Sequence, residues 1–334
     1  MDLKLLLKRG ALLAAANWQT VAIQFAAQTT FQVLLAVPII GAAILVAVLL
    51  GADFANLLQG SLRDILTTLA DALAAEPVAL VAFLASFSIV LLGGSMFMFL
   101  VKGGTVDVLV AAHRGAGALG HEPVTFDTLA PAAAFTLPRF LAGCSRHFRR
   151  YLTLGILLMV VYAVSVGGYL AFLVMGFRRF GDGEIAIGWA FVAALSSVLL
   201  VLWITVVNLM YLLLQMAIAV EDVGIAEACR AVARFVRAEF RGLGSVFLVV
   251  LAIVVAATLV STLAWSGVGL IAFIPLVGLA VFPLQILALL IRGLIFEYIG
   301  LTALGAYLTL YRRRAGERDG AAEAARLHQA GAWG

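Results

Sequence analysis

The sequence predicts an all-α integral membrane protein, a bundle of six spans. Three observations predict it. Of the 334 residues, 64% are hydrophobic and 12% charged, with a mean hydropathy of +1.12, whereas a soluble domain carries about 25% charged residues. The few charges stand in short blocks. Between the blocks run apolar stretches long enough to cross a bilayer, which takes about 20 residues as a helix.

The spans are read at 31–50, 78–101, 151–175, 189–220, 243–265 and 283–311. From Val268 to Ile291 the chain is apolar but interrupted by Pro275 and Pro283. An extra span, a re-entrant element, and the outer ends of two long helices all fit that stretch. Lys and Arg distribution sets orientation, because cytoplasmic loops hold the excess. The segment before the first span, the two loops after the second and fourth, and the segment after the sixth together hold 18 of them. The opposite side holds Arg63, Arg178 and Arg179. Six spans with both termini cytoplasmic satisfy this split, and seven would carry Arg312–Arg314 outside. Leu5–Leu7 is too short for a signal-peptide core, and Asn17, Gln19 and Thr20 interrupt the residues after it, so the N-terminal segment reads as uncleaved. The expectation is a multi-pass protein of a bacterial inner membrane, with one membrane domain over 1–314 and a flexible cytoplasmic tail over 315–334. Cys144 and Cys229 fall on the reduced cytoplasmic side, so no disulfide is expected.

The segments between spans are patterned. In the outer loop, Ser61 and Asp64 form a helix-start signal before Leu62, Ile65, Leu66, Leu69 and Leu73 at helical spacing. This predicts a short amphipathic helix on the outer face. On the cytoplasmic side, 137–151 sets Phe140, Cys144 and Phe148 opposite Arg139, Arg146, Arg149 and Arg150. The stretch 225–243 sets Val232, Phe235 and Phe240 opposite Arg230, Arg234, Arg237 and Arg241. Basic amphipathic helices of this kind lie in the interface, with apolar side chains toward acyl chains and arginines among phosphates. These eight arginines are therefore the lipid-headgroup candidates. The first 30 residues read as a looser version of the same element. The chain then reads either as a threefold repeat of interfacial helix plus helical hairpin, or as the shared composition of arginine-flanked apolar sequence.

Inside the spans, Arg292 and Glu297 stand out, because ionisable residues at membrane depth are costly and face the bundle interior or a cavity. Glu297 lies 14 residues before Tyr311, about 21 Å along a helix, and Arg292 lies about 28 Å along it. A partner for Glu297 is expected from Arg292 or, with better helical geometry, from a second span, for example Asn208. Gln24, Gln28 and Gln32, with Thr20, repeat every four residues on one helix face. Asn208, Gln215 and Gln285 complete the intramembrane polar candidates. Interhelical hydrogen bonding and the lining of a polar path both suit such residues. Lys102-Gly103-Gly104-Thr105 follows a membrane helix and lacks the phosphate-loop pattern. His113, His121, Glu122, Asp127 and His147 show no metal-ligand spacing, and no catalytic Ser/His/Asp arrangement is legible. No cofactor and no metal are called for.

Residues Val220-Glu221-Asp222-Val223-Gly224-Ile225-Ala226-Glu227-Ala228, followed by the Arg-rich segment and a span, form a recognisable pattern. With the ending Tyr307-Leu308-Thr309-Leu310-Tyr311-Arg312-Arg313-Arg314, the stretch 220–317 resembles the six-span membrane domain found beside bacterial glycerophosphodiester phosphodiesterase domains and its stand-alone relatives. In that family the phosphodiesterase is a separate soluble domain, for which this chain has no room. The resemblance implies the architecture and no catalytic residue. The functional expectation is a non-enzymatic membrane protein whose partners are membrane lipids, anionic headgroups at the cytoplasmic face, and a membrane or envelope protein, with no nucleic acid. The alternative is a transporter of a lipid or small solute that uses the polar residues inside the bundle.

Overall fold

In a bilayer every backbone N–H and C=O must find its partner within the chain, so long apolar segments become helices. The computed structural model describes residues 3–50, 77–117, 126–180, 185–272 and 275–331. The regular structure among them is helical: α1 (Leu3–Ala16), α2 (Trp18–Leu50), α3 (Pro77–Gly115), α4 (Phe126–Leu129) leading into a 3-10 turn at Ala130–Ala132, α5 (Leu137–Phe180), α6 (Ile185–Glu221), α7 (Ile225–Ala238), α8 (Phe240–Ala272) and α9 (Pro275–Gly331). Six helices, α2, α3, α5, α6, α8 and α9, are long and apolar enough to cross a membrane. The chain is a polytopic membrane protein. The outer helix expected around Leu62–Leu73 lies outside the described residues.

The stretch around Val268–Ile291 resolves into two long helices. α8 runs to Ala272 and α9 begins at Pro275, where the missing N–H of a proline costs nothing because the first turn leaves that donor unpaired. Pro283 stands within α9 without ending it. The Ala-rich segment after Arg314 continues α9 as helix to Gly331, in keeping with the high helix propensity of alanine. The first span starts earlier than Phe31. Its helix begins at Trp18, so the glutamine stripe belongs to the membrane helix itself.

The membrane helices pair as three antiparallel hairpins, α2 with α3, α5 with α6 and α8 with α9. The hairpins meet chiefly at the end that carries the arginine-rich segments, here the basic end. The largest fully buried side chains include Leu13 of α1, Leu109 of α3, Tyr151 of α5, Leu213, Met216 and Ile218 of α6, and Leu308 and Leu310 of α9, all toward this end. The far halves instead expose Ile40, Ile89, Val164, Val201, Leu259 and Leu289. Lipid tails are as apolar as these side chains, so no hydrophobic force draws the far halves together.

Close approach at the basic end is made by small residues. A Cβ on Gly10 of α1 would lie 2.3 Å from the Thr302 carbonyl oxygen and 2.8 Å from the Ala306 nitrogen of α9. A Cβ on Gly143 of α5 would lie 3.2 Å from Gly104 Cα of α3. Backbone cannot retreat as a side-chain tip can. Gly10→Val is expected to destabilise by about 3 kcal/mol, the upper end of overpacking costs. Gly300→Ala, on α9 with open space around it, should melt like the parent in a detergent thermal unfolding assay.

α1 is packed against the bundle. It buries Leu6, Gly10, Leu13 and Ala14, packs along α9, and its Ala11 carbonyl accepts a 3.0 Å hydrogen bond from the Tyr298 hydroxyl. Asn17, in the break between α1 and α2, is 1% exposed. Its side-chain nitrogen donates to the carbonyls of Leu13 (2.9 Å) and Ala132 (2.8 Å). Its oxygen accepts from the backbone nitrogens of Ala134 (2.9 Å) and Phe135 (3.0 Å). One side chain thus joins the first two helices to the loop that leads into α5.

Candidate functional site

Glu297 of α9, Gln24 of α2 and Lys102 of α3 converge where these three apolar helices pack together. The Gln24 side chain hydrogen-bonds the Glu297 carboxylate, and Lys102 stands within Coulombic reach of it. Lys102 lies 13 residues before the end of α3 at Gly115, about 20 Å along the helix. Glu297 lies about 21 Å before Tyr311. Gln24 is buried, and its side-chain oxygen has no hydrogen-bond partner; Thr20, one turn earlier on the same face, is buried with an equally unsatisfied hydroxyl. A carboxylate, an ammonium and an amide on three helices can lock those helices together, and can also hold a proton or a small polar group.

Glu297 thus takes its partner from another span, as its position predicts, but from neither residue singled out for it. Arg292 instead lies over the Phe296 ring, 5.6 Å from its centroid. Asn208 accepts a 2.5 Å hydrogen bond from the Tyr162 hydroxyl and donates to the Ile204 carbonyl at 3.0 Å, which ties α6 to α5. Higher on the same hairpin, Trp203 donates to Ser165 at 3.0 Å, and Trp189 sits among Phe172, Phe177 and Phe180. Gln215 is fully buried in α6, where its backbone oxygen accepts from Tyr151 at 2.7 Å and its side-chain amide atoms lack partners. Gln28 is half-buried and Gln32 exposed.

Gln285 and Arg292 meet elsewhere. They line a crevice of about 420 Å³ between α8 and α9, walled by Ala257, Val260, Ala264, Leu284, Ala288 and Leu289, with Ser261 adding a hydroxyl. Nearly all of its wall is apolar. Arg292 lies about 28 Å from Tyr311, close to the full thickness of the hydrocarbon core.

The arginines at the basic end divide by role. Arg146 and Arg150, one turn apart on α5, each donate to Asp222 at 2.6 Å. Asp222 is the residue at which the chain turns from α6 toward α7, and its φ of 53° lies in the left-handed region that Asp tolerates better than most residues. The two guanidiniums hold its carboxyl at about 2, below the ordinary carboxylate value, by hydrogen bonding to the charged form. Arg139 donates to the Ala134 carbonyl at 2.7 Å. Arg149, Arg230, Arg234, Arg237 and Arg241 are exposed. Phe140 and Phe235, expected toward acyl chains, are buried in the protein: Phe140 lies beside Phe135, and Phe235 stands 5.0 Å from the Tyr311 ring. The reason is that 137–151 is the first part of α5 itself, packed on α3, and α7 lays its apolar face on the bundle.

Sequence reasoning missed Lys102, because it stands at the end of an apolar run and reads as a boundary charge. Its neighbours emerge only once α2, α3 and α9 pack together. Comparison with protein-family models, with curated proteins and with solved structures returns no match.

Proposed function

We propose that the chain is a non-enzymatic lipid-holding protein of a bacterial inner membrane, with its basic end and both termini toward the cytoplasm. The crevice between α8 and α9 carries this reading. Its volume falls in the range of small-ligand sites, about 300–1,000 Å³. Its wall suits an acyl chain, and Arg292 stands at headgroup depth on the opposite side of the membrane from the basic end. The split of Lys and Arg between the two ends supports the orientation.

Native mass spectrometry of the purified protein tests it. One phospholipid retained per chain is expected, and Ala288→Trp, which fills the crevice, should reduce that retention at least tenfold. Unchanged retention in Ala288→Trp would remove the crevice as the site. The convergence of Lys102, Glu297 and Gln24 favours a second reading, passage of a small polar solute. On that reading the purified protein carries a polar solute, lost in Glu297→Gln and kept in Ala288→Trp.

A further inference from the structure

A second cavity, of about 250 Å³, opens at the basic end where α3, the start of α5 and the corner after α6 meet. Its charged lining is mixed in sign: Asp107 and Arg114 from α3, Arg139 and Arg146 from α5, Glu221 and Asp222 from the corner. Asp107 and Arg114 are seven residues apart, two turns along one face of α3 and about 10 Å along its axis. Asp107 is half-buried, whereas Arg114 and Arg139 are exposed. The cleft therefore runs from a carboxylate at its floor to guanidiniums at its rim.

Part of this lining is committed to holding the corner. Arg146 and Arg150 grip Asp222, and Glu221 accepts the Tyr311 hydroxyl. The rest keeps bonding capacity. Asp107 faces the fully buried His147 at 3.4 Å, beyond ordinary hydrogen-bond length, so its oxygens can accept a closer donor. Arg139 spends one N–H on the Ala134 carbonyl, and a guanidinium has five. Arg114 has no ion pair among the described residues. A lone anion here would meet three carboxylates, and a lone organic cation three guanidiniums. Among the described residues no group of three His, Cys, Asp or Glu side chains could hold a metal ion. A zwitterion meets both signs. An ammonium brings three donors for a carboxylate, and two guanidiniums on different helices match the several oxygens of a phosphate. We propose that this cleft binds a small zwitterion, a primary ammonium joined to a phosphate by a short linker, with the ammonium toward Asp107 and the phosphate between Arg114 and Arg139. A phosphatidylethanolamine headgroup and free phosphoethanolamine share that chemistry. The site is separate from the α8–α9 crevice, with which it has no lining residue in common.

The test uses the full chain purified in detergent, in its parental form and as Ala288→Trp, which closes the crevice to lipid. Each is titrated separately with phosphatidylethanolamine, phosphatidylcholine, phosphatidylglycerol and free phosphoethanolamine, and binding is read by thermal shift and native mass spectrometry. Phosphatidylcholine offers no ammonium N–H, and phosphatidylglycerol has no ammonium. In Ala288→Trp, one phosphatidylethanolamine per chain is expected to bind at least tenfold more tightly than either. Asp107→Asn should remove that preference, and Arg114→Gln should weaken binding at least tenfold. Arg230→Gln, an exposed arginine of α7, should leave both unchanged. If free phosphoethanolamine binds as tightly and responds to the same variants, the site stands with a soluble ligand; if the lipid alone binds, it stands with a headgroup. Equal binding of the three lipids would overturn the proposal, as would parental binding in both Asp107→Asn and Arg114→Gln, or an equal loss in Arg230→Gln. Should Asp107→Asn fail to give monodisperse protein, Arg114→Gln, at an exposed position, carries the comparison.

Discussion

Lys102→Met is expected to destabilise the protein by about 3 kcal/mol, and adding Glu297→Gln to the same chain should return most of that loss. Removing one member of a buried charge pair strands the other, at a cost of about 3–5 kcal/mol. Both residues here are half-buried, so the lower end applies. The double variant leaves an uncharged amide that Gln24 can still bond. Unfolding of the four-membered cycle in detergent would measure the coupling directly. Strict additivity of the two substitutions would show that Lys102 and Glu297 do not depend on each other. The same variants separate the two functional readings. Loss of polar-solute binding in a folded Glu297→Gln protein points to passage through the bundle; retained lipid binding with only mild destabilisation points to a structural pair.

Asn17→Ala should cost a comparable amount, about 3 kcal/mol, for a different reason. The side chain bonds four backbone groups, three of them in the loop 132–135. Alanine leaves the Ala132 carbonyl and the Ala134 and Phe135 nitrogens without partners, and each buried unsatisfied group costs about 1–3 kcal/mol. Asn17→Asp makes a sharper comparison. It keeps the acceptor and loses the two donations, so it should fall between alanine and the parent at neutral pH. A thermal melt of Asn17→Ala within a degree of the parent would mean that the α1–α2 break is held by packing alone.

Several features were legible early because they depend on local composition. The number of helices long and apolar enough to span and the segregation of basic residues to one end both come from counting along the chain. Features that depend on which way a helix faces were harder to read. Periodicity over 137–151 and 225–243 cannot say whether a helix face meets lipid or protein. Phe140 and Phe235 meet protein, because α3 and α9 lie beside them.

The sequence by itself determined that this is a membrane chain with six stretches long and apolar enough to cross a bilayer as helices, since hydrophobic length against bilayer thickness is a local property of each segment. Tertiary structure decided which polar groups share a neighbourhood: Gln24 and Lys102 with Glu297, and Arg146 and Arg150 with Asp222. Those groupings are set by close crossings such as Gly10 against Thr302 and Ala306. A crossing of that kind fixes the rotation and register of two helices at once, and residues far apart in the chain specify it jointly.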